Sequence, residues 1–155
     1  MVQRVFAGMP IVAVIIGMAA TLTVGSVAAQ QLTSSVDVPQ GDLELGAVSI
    51  PRRVMADGQT LSAGEYQVRL TARSATPDTV GALSVLERWV EFSQGDDVRG
   101  REVVTIVPND EIGDVAKSAS PSSGASRVEL LKENEYMRVW INQGGTHYLI
   151  HLVVG

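Results

Sequence analysis

Two histidines, His147 and His151, stand four residues apart close to the end of the chain. On a helix that spacing would put both imidazoles on one face, able to share a metal ion. On a strand they are ~13 Å apart at ~3.3 Å per residue, too far for one ion. The run Thr146–Val153 alternates like a strand, so both are read as surface or packing histidines and no metal ligand is assigned. Glu91 and Glu102 raise a second chemistry, paired carboxylates in acid/base work. Counted across a Gly95-Asp96 turn, Trp89 lies opposite Glu102 and Glu91 opposite Gly100. Both carboxylates then share a face, their backbones ~7 Å or more apart. No G-x-S-x-G or S-x-x-K accompanies them, and neither G-x-G-x-x-G nor G-x-x-x-x-G-K-[ST] occurs. The pair is read as a solvated face, with Arg88, Arg99 and Arg101 on the other side. Asp96-Asp97 and Asp110-Glu111-Asp114 offer oxygen ligands for calcium but lack EF-hand spacing, and charged turn tips explain them. The absence of cysteine removes disulfides, thiolate metal sites and thiol catalysis. No catalytic residue, metal or cofactor is assigned.

Whatever these side chains do depends on the strands that hold them. Arg127–Lys132, Glu135–Gln143 and Thr146–Val153 read as three consecutive strands, with turns at Glu133-Asn134 and Gly144-Gly145. Counting outward from the turns puts Val128 opposite Val139 and Leu130 opposite Met137. Across the second turn, Val139 meets Ile150, Ile141 meets Tyr148 and Met137 meets Leu152. Two turns chosen separately thus produce one apolar face. The other face carries a Glu129–Arg138–His151 row and an Arg127–Trp140–Leu149 row, with Asn142 opposite His147 and Leu131 opposite Tyr136. Glu129 and Arg138 form a cross-strand ion pair in this register, and Arg127 lies over Trp140 as a cation–π pair. Aromatic surface mixed with arginine is the composition of binding hot spots, so Arg127, Glu129, Arg138, Trp140 and His151 are the candidate contact residues. If a second layer covers them, Arg138 and His151 need partners.

Upstream, Leu43–Ile50 is a strand that stops at Pro51, Asp57-Gly58 is a turn, and Tyr66–Arg73 alternates with Tyr66, Val68, Leu70 and Ala72 on one face. Arg88–Ser93 and Val98–Val107 flank a Gln94–Asp97 turn. Residues 108–126 hold prolines, glycines and serines and read as a mobile loop with one helical turn near Asp110–Ala116. The N-terminus has Arg4, then the apolar block Ile11–Ala20, then small residues ending Val27-Ala28-Ala29, the pattern of a signal peptide cleaved after Ala29. An uncleaved anchor through residues 10–28 is the alternative. Residues 30–42 form a flexible lead with an edge strand at Leu32–Val38, and 43–155 is the single domain. Apolar residues are 45% and charged residues 19% of the 155, the balance of a globular chain. Its net charge of −5 argues against a broad nucleic-acid footprint.

The segment Asp57–Leu70, DGQTLSAGEYQVRL, resembles an L-x-A-G-x-Y-x-V strand seen in small exported bacterial β-sandwich proteins. With Trp89–Phe92, Gly100–Val104, Tyr136–Asn142 and Tyr148–Leu152, the likeness extends over Val48–Leu152 and points to acidobacterial-type exported proteins. That resemblance implies export and a β-sandwich, and no activity. The expected fold is an all-β antiparallel sandwich, immunoglobulin-like or transthyretin-like, of about seven strands, with a small β-barrel as the alternative. The expected function is an exported, periplasmic or extracellular, non-enzymatic binding or assembly module of the cell envelope, contacting a protein or glycan. Alternatives are a structural subunit that adds strands edge to edge and a carboxylate-dependent hydrolase using Glu91, Glu102 or His151. A membrane is met only through the signal segment if that stays uncleaved.

Overall fold

Apolar alternation in the sequence becomes alternation of burial in space: Tyr66, Val68 and Leu70 are buried while Glu65 and Gln67 between them are exposed. The computed structural model describes residues 38–75 and 87–155. The expected signal segment, and the expected lead with its strand at Leu32–Val38 as far as residue 37, lie outside the described residues. The strands are β1 (Leu43–Ile50), β2 (Val54–Ala56), β3 (Gln59–Leu61), β4 (Gly64–Ser74), β5 (Glu87–Gln94), β6 (Asp97–Pro108), β7 (Ser126–Leu131), β8 (Tyr136–Gln143) and β9 (Thr146–Val154). One short helix, α1 (Ile112–Val115), falls between β6 and β7.

The fold is all-β, and every pairing is antiparallel. Hydrogen bonding runs in the order β1-β4-β5-β6-β9, with β8 and then β7 beyond β9. The β2–β3 hairpin pairs with the end of β9, at Val54–Val154 and Met55–Val153. All nine strands among the described residues therefore belong to one connected sheet, which the ladders do not divide into the two sheets of a sandwich. The sheet curls until its long edges meet: β1 contacts β7, and Ser126 Oγ donates to the Ala47 carbonyl at 3.3 Å. Among the described residues no ladder joins β1 to β7, so the sheet does not close as a barrel.

The concave side is the core. Val48, Val68, Leu70, Val90, Phe92, Val104, Ile106, Met137, Val139, Ile141, Ile150 and Leu152 pack there as one buried cluster. The β7–β8–β9 meander has the register counted from its two turns, including Val128–Val139–Ile150 and Glu129–Arg138–His151. Gly144 and Gly145, at φ +62° and +88°, make the tight turn that twists with the strands. The other connection is a 3-10 turn at Lys132–Asn134, with the same register.

Two bulges adjust the alternation. In β1 the apolar phase changes from Leu45 to Val48, and a register shift at Gly46, φ +103°, returns both side chains to the core. In β5–β6 the pairing shifts between Phe92 and Ser93, so Phe92 meets Gly100 while Ser93 meets Val98. Gly100 lets the β2–β3 hairpin settle on the sheet, because a Cβ there would lie 3.0 Å from Leu61 Cδ2 and 3.6 Å from Ala56 Cβ. Gly100→Val should lower stability by about 1–3 kcal/mol through overpacking. The check is the urea midpoint, and an unchanged midpoint would mean the hairpin does not depend on this seat.

A buried arginine ties down the end of the lead. Arg88 points to the core side, opposite Val104. Its Nε donates to the Thr71 carbonyl at 2.7 Å, Nη2 to Gly41 at 2.7 Å, and Nη1 to the Pro39 carbonyl. Asp42 then accepts from the Ala72 backbone at 2.8 Å.

Candidate functional site

The convex face carries the candidate contact residues, and the chain after β6 decides how much of it meets solvent. Residues 109–125 lie across β8 and β9 as a strap. Ile112 and Ala116, one helical turn apart around α1, pack on Val107, Trp140 and Leu149 as a second buried apolar cluster. Asn142 holds the far end of the strap. Its backbone N–H donates to Ala125 O at 3.0 Å, its carbonyl accepts from Gly124 N at 2.7 Å, and its Nδ2 donates to Pro121 O at 2.9 Å. The region expected as a mobile loop does contain its one helical turn, at Ile112–Val115, and it supplies the layer that covers Trp140.

This arrangement corrects the expectation that Trp140 is a contact residue. Trp140 is 0% exposed, its ring is beneath the strap, and its Nε1–H donates to His147 Nδ1 at 2.9 Å. The cation over Trp140 is Arg138, at 5.3 Å from the ring centroid, and not Arg127. Arg127 lies to the side, with Nη1 donating to Ala119 O at 2.8 Å and Nε 3.2 Å from Glu129. Arg138 is buried too, and it has the partners that burial demands. It meets Glu129 Oε2 through Nε at 3.0 Å and Nη2 at 2.5 Å, and Ser118 Oγ at 3.3 Å. Burial alone would raise the Glu129 carboxyl. Hydrogen bonds with Ser118 and Arg138 and the charges of Arg138 and Arg127 outweigh it and hold the group below the usual carboxylate range. Of the five candidates, Arg127 and His151 remain exposed, Glu129 is half-buried, and Arg138 and Trp140 are buried.

The carboxylate pair is corrected as well. The bulge in β6 moves Glu91 opposite Arg101 and Glu102 opposite Val90, so the two point to opposite faces of the sheet. Glu91 is ion-paired to Arg69 at 2.6 Å. Glu102 accepts from the Asp57 and Val103 backbone N–H groups at 2.8 and 2.9 Å, bracing the β2–β3 turn. Arg101 shares the convex face with Glu91, lies 4.4 Å over the Trp89 ring and reaches Asp57 at 2.9 Å. Arg88 faces the core, so the grouping of Arg88 with Arg101 also fails. The shared face on which the hydrolase alternative rests is therefore not present.

No protein-family model, curated protein or solved structure matches the chain. Beyond the strap, the convex face stays open at a cleft of about 400 Å³ lined by Leu131, Lys132, Tyr136 and His151. The Lys132 ammonium lies 5.1 Å from the Tyr136 ring centroid. His151 joins the cleft to the Glu129–Arg138 pair in the neighbouring column. Leu131, Lys132 and Tyr136 were not among the contact candidates. For Leu131 and Tyr136 the signal was the same register count, which already set them opposite each other on this face; Lys132, which parity with Val128 and Leu130 puts on the other face, comes to the cleft from the 3-10 turn. The two histidines part company in the structure, His147 buried under the strap and His151 exposed at the cleft.

Proposed function

We propose that the protein is an exported, non-enzymatic binding module of the bacterial cell envelope, contacting a protein or glycan through the open part of its convex face. The observation that carries this reading is the Leu131–Lys132–Tyr136–His151 cleft beside a fixed Arg138–Glu129 pair. Tyrosine, an aliphatic side chain, a lysine ammonium and an imidazole converge there on a rigid sheet, and the neighbouring ion pair is already ordered before a partner arrives. The apolar block and small-residue exit at the N-terminus support export. The face is favoured over the edges because β1 and β7, the long edge strands, contact each other.

Tyr136→Ala combined with His151→Ala tests the reading. Both side chains reach the surface, so the melting temperature should move by only a few degrees. Partner capture from envelope extract, or retention on a glycan array, should fall about thirtyfold, the equivalent of about 2 kcal/mol. Undiminished capture by the folded double variant refutes the site.

A further inference from the structure

We propose that His147 is a proton-operated latch, which holds the start of the 109–125 strap on the sheet while neutral and releases it when the imidazole takes a second proton. The hydrogen bonds decide the resting state. The indole Nε1–H of Trp140 is a donor only, so His147 Nδ1, at 2.9 Å, must be the acceptor. Nε2 must then carry the proton, and it lies 3.1 Å from Asn109 Oδ1, an acceptor. One neutral tautomer satisfies both bonds. The imidazolium would place an N–H against the Trp140 N–H, inside a site where His147 is 0% exposed and water cannot compensate.

Among the described residues, the elements around His147 supply no counter-charge in contact with it. From β8 it faces Trp140 and Asn142, and Arg138 lies over the Trp140 ring. From β6 it faces Val107, and along its own strand Leu149 separates it from His151. From the strap it meets Asn109, whose neighbours Asp110 and Glu111, and Asp114 in α1, are exposed. Burial pushes the His147 imidazole below its ordinary value of 6.5, as this closed environment requires.

The sign follows from linkage. With the strap open, the His147 imidazole would return toward its ordinary value of 6.5; with it closed, burial holds it lower. Between those two values only the open form binds the extra proton, so each unit of acidification raises the open-to-closed ratio by up to tenfold. Above pH 6.5 the latch is insensitive. The other end of the strap does not titrate in this range. It is held by Asn142, and by Arg127 and Arg138 with a Glu129 carboxyl that stays ionised. Release therefore starts at Asn109 and runs toward Lys117, baring Val107, Trp140 and Leu149 while 121–125 stay paired.

Hydrogen exchange of the full chain at pH 7.5 and 5.0, corrected for the intrinsic pH dependence of exchange, reads this out. Amides at 109–117 should lose protection at pH 5.0, by up to about thirtyfold, while those of 124–125 and of Ile141 and Ile150 hold. His147→Gln, uncharged at both pH values and able to accept from Trp140 and donate to Asn109, should abolish the difference. His151→Gln should preserve it. Should the glutamine variant fail to fold, an NMR titration of the unsubstituted protein decides. The Trp140 indole N–H and the 109–117 amides must then shift with the midpoint of the His147 ring. A pH-independent strap, a surviving difference in His147→Gln, or strap and imidazole midpoints that differ would each overturn the latch. This test does not involve a partner and stands apart from the proposed binding site.

Discussion

Replacing Val139 by aspartate should unfold the protein. Val139 is 0% exposed at the centre of the meander, opposite Val128 on one side and Ile150 on the other. Met137 and Ile141, two residues away along β8, are buried on the same side. A carboxylate placed there has no partner, and keeping it charged costs several kcal/mol beyond the lost packing. Folded domains hold only about 5–15 kcal/mol in total. Circular dichroism should show no cooperative thermal transition. Asn142→Asp is the comparison. Counting strands alone leaves it a mild change on the opposite face. The structure makes it more costly, because Asn142 is 7% exposed and its Nδ2 donates to Pro121 O, which a carboxylate oxygen would repel. A loss of about 1–3 kcal/mol is expected, with folding retained. Equal shifts in melting temperature for the two variants would contradict the register.

Trp140→Ala should cost about 3–5 kcal/mol of stability. The indole fills the space between β9 and the strap, against Val107, Ile112, Ala116 and Leu149. Its removal also leaves His147 Nδ1 without its donor and Arg138 without the ring it covers. Urea denaturation should show a large fall in midpoint, with unfolding still cooperative because the concave core is untouched. Any loss of partner capture in this variant would follow from the displaced strap. A loss below about 1 kcal/mol would mean that Trp140 is not packed under the strap.

Much of the C-terminal half was legible because its determinants are local. Period-two alternation states which residues share a face, and Gly144-Gly145 and the Glu133-Asn134 centre state where the chain reverses. Register then follows by counting, and every pair from Leu130–Met137 to Ile141–Tyr148 obeys it. The same counting failed across β5–β6, because the extra residue there is Arg99, with nothing in its type to announce a bulge. In β1 the bulge does leave a trace, since the spacing from Leu45 to Val48 breaks parity at a glycine.

Three features were decided only in three dimensions. Joining the N-terminal strands to the meander rests on β6 meeting β9, at Val104–Ile150, a pairing between segments remote in sequence with no local residue to mark it. Arg88 is anchored by the carbonyls of Pro39, Gly41 and Thr71, and backbone acceptors carry no sequence signature. Above all, alternation says that Trp140 lies on the face away from Val139, but not whether that face meets water. The answer lies in the strap, where Ile112 and Ala116, at helical spacing, are the apolar pair that covers it, while Val115 between them stays exposed. A sheet has two faces by its own periodicity, and which of them is buried depends on what the rest of the chain brings to it.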